Sequence, residues 1–219
     1  MDTLTQVVKI LLFSLAFANI VYVLKLERNN MNFIQQIWRR FRWAMLLQCL
    51  LALASTSVLA YVLITYVPGT SFSWTGLLLN DGGNIFTAPL IDASSNEYVA
   101  IRLLALLLIL AFLLILPFLA KFEEEIFRKG HSDWKSISWE STKFGLVHCL
   151  VGVPIGFGIA LIVTGFFYGY HYKRALEKNM ESFGYLRAEE EAVMVSTTYH
   201  TMYNSIIVTV LLVGSVTMI

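Results

Sequence analysis

Charged side chains are scarce in this sequence. Only 14% of its 219 residues are Asp, Glu, Lys or Arg, while 57% are hydrophobic. A typical soluble domain has about 25% charged and roughly 45–50% apolar residues, and a chain of this length cannot hide so much apolar surface in one core. Long runs almost free of charge predict an all-α, polytopic membrane helix bundle. The composition excludes a soluble nucleotide-binding enzyme, a disordered tail and a nucleic-acid-binding protein.

Cysteine is scarce as well. The two cysteines, Cys49 and Cys149, lie in separate apolar runs. Such a pair does not make the disulfide framework of a small secreted protein, and thiols at membrane depth are typical of small buried hydrophobic side chains. We therefore expect both cysteines to be structural.

Six apolar stretches predict about six transmembrane helices, because about 20 apolar residues cross the hydrocarbon core. They cover residues 7–24, 43–67, 98–120, 144–153, 155–172 and 192–219. The fourth stretch is short, and we expect its helix to include 136–143 or to enter the membrane only partway. Gly152 and Pro154 predict a helix break and a reversal of the chain before the fifth stretch.

The positions of the cations predict the direction of these helices. Lys and Arg number 16 in all, and segments 25–42, 121–143 and 173–191 hold five, five and four of them. The loop 68–97 holds none. Cationic loops stay in the cytoplasm, so these three segments are predicted to be cytoplasmic and both termini to lie on the other side. We expect one integral membrane domain over residues 1–219.

Two segments predict how the helices meet the membrane surface and each other. Residues 29–42 alternate apolar and basic side chains, which is typical of a helix lying in the cytoplasmic interface. Gly165 and Gly169 are four residues apart and allow close helix packing. The tyrosines of the same stretch are predicted to form an interfacial belt; they are Tyr168, Tyr170 and Tyr172.

Ionisable residues in or beside membrane helices are candidates for function. At the end of the third stretch, Glu124 and Arg128 are one helical turn apart and can pair, which leaves Glu123 to point elsewhere. The alternative for this run of charges is a solvated helix end with no further role.

Two pairs of polar or aromatic residues share helix faces further along the chain. Phe144 and His148 form one pair, and His200 and Asn204 form the other. Such residues can equally hold helices together through hydrogen bonds. However, the predicted topology places Glu123, His148 and His200 all in the cytoplasmic half of the membrane, and this shared depth favours one site.

In order along the chain, these residues resemble the three motifs of the CPBP family. This family contains CAAX prenyl endopeptidases and bacteriocin-processing or immunity proteins, and is also called Abi. The matching residues are Glu123-Glu124-x-x-Phe127-Arg128, Phe144-x-x-x-His148 and His200-x-x-x-Asn204. The resemblance covers about residues 117–204, less than half of the chain.

The resemblance implies an intramembrane endopeptidase that hydrolyses a peptide bond in a membrane or lipid-modified substrate from the cytoplasmic side. It implies that Glu123 and His148 activate a water molecule, and that His200 and Asn204 stabilise the oxyanion. A carboxylate base and aimed donors are what peptide hydrolysis requires. Supporting roles are implied for Glu124, Arg128 and Phe144.

A metal-dependent variant of this chemistry stays open. Glu123, His148 and His200 are acceptable zinc ligands that leave a position for water. Because the sequence contains no HExxH motif, we favour catalysis without a metal or other cofactor.

Several residues depart from the family pattern. Glu125 and Lys129 stand where the family prefers an apolar residue and a glycine, while Glu140 and Lys143 make the approach to the second motif polar. The alternative function is therefore a non-catalytic CPBP-like subunit that binds or scaffolds another membrane protein or complex, in an assembly or immunity role. The expected partners are membrane lipids, a membrane or lipidated peptide, or a membrane-protein complex, and no nucleic acid.

Overall fold

The computed structural model describes residues 31–79 and 99–217, together with isolated helical positions between residues 7 and 25. Every element bounded within these residues is an α-helix, and no strand occurs among them. The helices are α1 (Met31–Arg39), α2 (Trp43–Tyr66), α3 (Trp74–Leu79), α4 (Val99–Phe127), α5 (Trp134–Leu150), α6 (Ile155–Phe183) and α7 (Tyr185–Thr217). The prediction of a first span at 7–24 and most of the loop 68–97 lie outside the described residues.

Three of the described helices are long and apolar enough to cross a membrane. They are α2, residues Leu106–Phe127 of α4, and α6, with mean hydropathies of 2.0, 2.4 and 1.2 in their most apolar windows. Helix α2 leaves Leu47, Leu51 and Val58 exposed. A contiguous exposed apolar surface of this kind is what a lipid-facing helix presents. The chain is thus all-helical, and these three helices fit an integral membrane protein.

Helix α5 begins well before the apolar stretch that predicted it. It includes residues 136–143, as expected. Asp133 fixes its start, because the side chain accepts hydrogen bonds from the backbone N–H groups of Lys135 and Ser136 at 2.9 and 3.0 Å. The Ser136 hydroxyl also donates to this carboxylate, and these bonds hold the pKa of Asp133 below its ordinary value of 3.8.

The predicted break after α5 is confirmed. Helix α5 ends at Leu150 and α6 begins at Ile155. Gly152 has a φ of +95°, a left-handed conformation that glycine adopts without steric cost. Pro154 then precedes the first turn of α6, where its missing N–H group is not needed.

Helix α6 lies at the centre of the bundle and packs against α2, α5 and α7, while α7 also packs against α4. The predicted close packing at Gly165 and Gly169 is confirmed, since both face α5. A Cβ atom on Gly169 would lie 2.5 Å from Cγ2 of Ile137, and one on Gly165 would lie 3.0 Å from the carbonyl oxygen of Ser141.

The tyrosine belt is only partly confirmed. Tyr170 is 45% exposed, but Tyr168 and Tyr172 are fully buried. The prediction is wrong for these two because α7 covers this face of α6. There the Tyr168 ring stacks on His200, and the Tyr172 hydroxyl donates to Glu189 at 3.4 Å.

Helix α1 is amphipathic, as predicted, but its apolar face is covered by the protein's own helices. It packs against α4 and α7. Ile34 and Ile37 are buried, and the Phe33 ring stacks on Phe118 with 5.7 Å between ring centroids. The alternating pattern therefore identifies the face of α1 that packs against the helix bundle, just before α2 begins.

Candidate functional site

Three of the four residues predicted to be catalytic meet at one place. Glu123 lies near the end of α4, His148 lies on α5 and His200 lies on α7. The Oε2 atom of Glu123 is 4.0 Å from Nε2 of His148 and 3.8 Å from Nε2 of His200. Three helices thus bring one carboxylate oxygen between two imidazole rings.

Asn204, the fourth predicted residue, lies one turn beyond His200 on α7. It is half-buried. Among the described residues, no hydrogen bond joins its amide to Glu123, His148 or His200.

Glu124 is held on the other side of His200, away from solvent. Its Oε1 atom lies 2.8 Å from Nδ1 of His200, and its Oε2 atom accepts a hydrogen bond from the Ser196 hydroxyl. Nε of Arg128 lies 3.5 Å from the same Oε2, and both side chains of this pair are fully buried. The predicted pairing of Glu124 with Arg128 is confirmed. Arg128 also donates to the carbonyl oxygen of Gly165 at 2.9 Å, which ties α4 to α6.

The hydrogen-bond partners of the two histidines fix their tautomers. Nδ1 of His148 lies 2.6 Å from the carbonyl oxygen of Phe144. A carbonyl oxygen only accepts, so this nitrogen donates. Nδ1 of His200 likewise donates to the Glu124 carboxylate. In their neutral forms, both rings therefore present Nε2 as an acceptor toward Glu123.

Three acceptors thus surround one small volume without a donor of their own. Oε2 of Glu123 is buried and has no hydrogen-bond partner among the described residues. Its separations from the two Nε2 atoms exceed the length of a direct hydrogen bond, so a water molecule is a candidate to link these groups. A group that donates a hydrogen bond, such as a water molecule or a protonated imidazole, is favoured next to these three acceptors.

Phe144 packs at the centre of an aromatic cluster that fixes these rings. Its centroid lies 4.7 Å from that of His148 and 5.7 Å from that of His200, with Phe127 and Tyr168 at 5.5 and 5.9 Å. Tyr168 stacks on the His200 ring at 4.4 Å and 19°. The supporting position implied for Phe144 agrees with these contacts.

Ser196 and Tyr168 were missed by the sequence analysis. Ser196 is one turn before His200 on α7, so the spacing Ser196, His200, Asn204 is a signal that could have found it. Tyr168 carries no such signal, because its contact with His200 depends on how α6 packs against α7.

The three residues lie slightly further apart than the ligands of a bound zinc ion. Zinc binds nitrogen and oxygen ligands at about 2.0–2.2 Å in a tetrahedron, which puts neighbouring ligand atoms roughly 3.3–3.5 Å apart. The separations here are 3.8 and 4.0 Å. No group of three His, Cys, Asp or Glu side chains in the described part of the chain is arranged to hold a metal ion.

Both cysteines are free, and Cys49 belongs to the same buried hydrophobic cluster as Phe144. Cys49 is buried, and its thiol lies 3.5 Å from the carbonyl oxygen of Tyr199. Cys149 is half-buried, and its sulfur packs directly against Gly158. Both contacts agree with a packing role.

No protein-family model, curated protein or solved structure matches this chain. The function must therefore be argued from the chemistry of the site itself.

Proposed function

We propose that this chain is a CPBP-type intramembrane endopeptidase. It hydrolyses a peptide bond in a membrane or lipid-modified substrate, with Glu123 and His148 activating the water. The observation that carries the proposal is the position of Oε2 of Glu123, buried, without a partner and between two imidazole nitrogens.

A bound water explains the spacing of the three groups. A water molecule between them can donate one hydrogen to Glu123 and the other to an imidazole nitrogen. It is then oriented for attack: the carboxylate takes its proton as the water oxygen bonds to the carbonyl carbon, and delivers this proton to the leaving amine as the C–N bond breaks. His148 keeps the water in place, because its ring is fixed by the hydrogen bond to the Phe144 carbonyl oxygen.

The charges around His200 favour its role as an oxyanion donor. Glu123 and Glu124 carry two negative charges and Arg128 carries one positive charge, so a protonated His200 makes the buried group neutral. Glu124 stabilises this imidazolium through Nδ1, as a buried carboxylate does in hydrolytic triads. The Nε2–H group then points to the side of Glu123, where the oxyanion forms. Asn204 completes the donor set implied by the family, one turn further along α7.

The accessibility of the residues supports access from one side. The side chains of Glu123 and His148 are 32% and 20% exposed, whereas Glu124 and Arg128 are fully buried. The proposed topology has six transmembrane helices, with segments 25–42, 121–143 and 173–191 in the cytoplasm. It places the exposed edge of the site near the cytoplasmic surface, so the substrate enters there.

The test is cleavage by the full chain reconstituted in liposomes. The substrates are a panel of membrane-spanning peptides and a farnesylated peptide, with products identified by mass spectrometry. We expect Glu123→Gln and His148→Ala to lower the rate at least about 100-fold, because each removes a proton-transfer or water-holding group. The matched control is Glu125→Gln, since Glu125 is largely exposed and lies 3.7 Å from Lys121; we expect it to keep the wild-type rate.

Folding is checked by elution volume and melting temperature in detergent. A correctly folded Glu123→Gln variant that cleaves as fast as the wild type would contradict the proposal. So would a folded wild-type chain that cleaves no peptide of the panel, and the non-catalytic scaffold would then be the better reading.

A further inference from the structure

A polar groove lies between the start of α2, the second half of α6, and α7. Its volume is about 910 Å³. The residues that line it include four cationic and two uncharged polar side chains: Arg40, Arg42, Arg174, Lys178, Gln48 and Tyr199. We name it the basic groove.

Three cations of the basic groove have no carboxylate partner. Arg40 is already paired with Glu191, through two hydrogen bonds of 2.6 and 3.1 Å. Among the described residues, no ion pair or side-chain hydrogen bond engages Arg42, Arg174 or Lys178, and all three side chains are exposed. The groove therefore concentrates positive charge that the protein itself does not neutralise.

Two lysines, by contrast, are paired with carboxylates on their own helices. Lys143 lies 2.6 Å from Glu140, and Lys173 lies 2.8 Å from Glu177. Glu177 also lines the groove, but its carboxylate is engaged by Lys173. The remaining charge in the groove is thus available to an anion.

The floor of the groove is aromatic and rigid. The His171 ring stacks on Tyr199 at 3.6 Å and 15°. The Tyr199 hydroxyl donates to Oε1 of Gln48 at 2.7 Å, which links α7 to α2. Met45 and Val195 add apolar surface. A ligand with a charged head and an apolar body matches this combination.

The groove lies at the level of lipid headgroups. Arg42 directly precedes α2, one of the helices able to cross a membrane. The first residue of α2, Trp43, is 85% exposed, and an exposed tryptophan at the end of a membrane helix sits at the headgroup layer. A phosphate at this level meets the three free cations directly.

We propose that the basic groove binds the phosphate headgroup of an anionic phospholipid, with Arg42, Arg174 and Lys178 holding the phosphate. The lipid tails lie along α2, whose outer surface carries exposed leucines. This site is separate from Glu123 and does not depend on peptidase activity.

The experiment measures lipid binding to the full chain in detergent by native mass spectrometry. The probes are phosphatidylglycerol and phosphatidylcholine with identical acyl chains. We expect phosphatidylglycerol to bind preferentially. The triple variant Arg42→Gln, Arg174→Gln, Lys178→Gln should lower its affinity about 100-fold, since each cation contributes about fivefold. The affinity for phosphatidylcholine should fall less, because its choline cation offsets the charge of the phosphate.

The matched control removes three exposed cations outside the groove, with Lys129→Gln, Lys135→Gln and Arg187→Gln. It changes the net charge equally, and we expect it to retain at least half of the wild-type affinity for phosphatidylglycerol. An equal loss in both triple variants would overturn the proposal, because attraction would then depend on net charge alone.

Two further arms identify the source of the phosphate. Inorganic phosphate and glycerol 3-phosphate should displace phosphatidylglycerol only at concentrations at least about 100-fold higher than that of the lipid, because they lack the tails that bury apolar surface. Displacement at equal concentration would show a site for a free phosphate and overturn the lipid proposal. The single variant Arg174→Gln changes one exposed residue and guards against misfolding; we expect it to lose about fivefold in affinity.

Discussion

Arg128 carries a full charge in a place with no access to solvent. It is among the largest fully buried side chains of the described residues, and its partners are Glu124 and the Gly165 carbonyl oxygen. Removing one partner of a buried ion pair leaves an uncompensated charge, at a cost of about 3–5 kcal/mol. We expect Arg128→Met to lower the free energy of unfolding by this amount, measured by denaturant titration in detergent.

The neighbouring exposed lysine provides the control for this variant. Lys129→Met should change the free energy of unfolding by no more than about 0.5 kcal/mol. In the double variant Arg128→Met, Glu124→Gln, part of the lost stability should return, because no carboxylate then remains unpaired. An Arg128→Met variant as stable as the wild type would contradict this prediction, because the ion pair between Glu124 and Arg128 would then not stabilise the fold.

At the scale of single residues, the sequence predicts contacts within a helix better than contacts between helices. The pairing of Glu124 with Arg128 follows from helical geometry alone, since residues four apart are neighbours. The hydrogen bond from Ser196 to Glu124 joins α7 to α4, and the stacking of Tyr168 on His200 joins α6 to α7. The spacing along α7 could have suggested Ser196 as a candidate, but no spacing along the chain predicts its partner on α4 or the stacking between α6 and α7.

At the scale of the element, the contact between α5 and α6 depends on glycines. A methyl group on Gly169 would lie 2.5 Å from Cγ2 of Ile137, and overpacking of this kind costs about 1–3 kcal/mol. We expect Gly169→Ala to lower the free energy of unfolding by this amount in the same titration. Ile137→Ala opens the facing space, so Gly169→Ala should be less costly in that background.

Gly214→Ala is the control for this prediction. Among the described residues, nothing lies within 4 Å of a Cβ atom added at this position of α7. The substitution should therefore show only the helix propensity of alanine, which favours folding by up to about 1 kcal/mol. A Gly169→Ala variant as stable as Gly214→Ala would mean that α5 and α6 are not in close contact.

The elements themselves were partly predictable. The break at Gly152 and Pro154 was correct because both residues act on the local backbone. The alternating pattern of α1 predicted which face of the helix is apolar, but it did not predict what covers that face. Lipid and a neighbouring helix both accept apolar side chains, so composition cannot distinguish them.

At the scale of the whole molecule, the cation pattern predicts which loops share a side of the membrane. We expect a cysteine at position 82, in the loop without cations, to react with a membrane-impermeant maleimide in intact cells. A cysteine at position 132 should react only after lysis. Both are introduced as Gly82→Cys and Ser132→Cys in a background with Cys49→Ala and Cys149→Ala.

Labelling of both positions from the same side would contradict the six-helix topology. Three helices in the described part of the chain are apolar enough to cross a membrane, while α5 and α7 carry polar residues that lower their hydropathy. Those residues include His148, Ser196 and His200, the same side chains that gather around Glu123 and Glu124. Hydropathy is therefore least informative for α5 and α7, the helices that carry the two histidines of the candidate site.

The order of the helices also sets when this cluster can form. Glu123 and His148 belong to α4 and α5, and His200 belongs to α7. During synthesis the N-terminal segments emerge and fold first, so the carboxylate and the first imidazole are made before the second imidazole. A nascent chain that stops before residue 200 carries an incomplete cluster. The order of the helices along the chain therefore makes this cluster one of the last features of the fold to assemble.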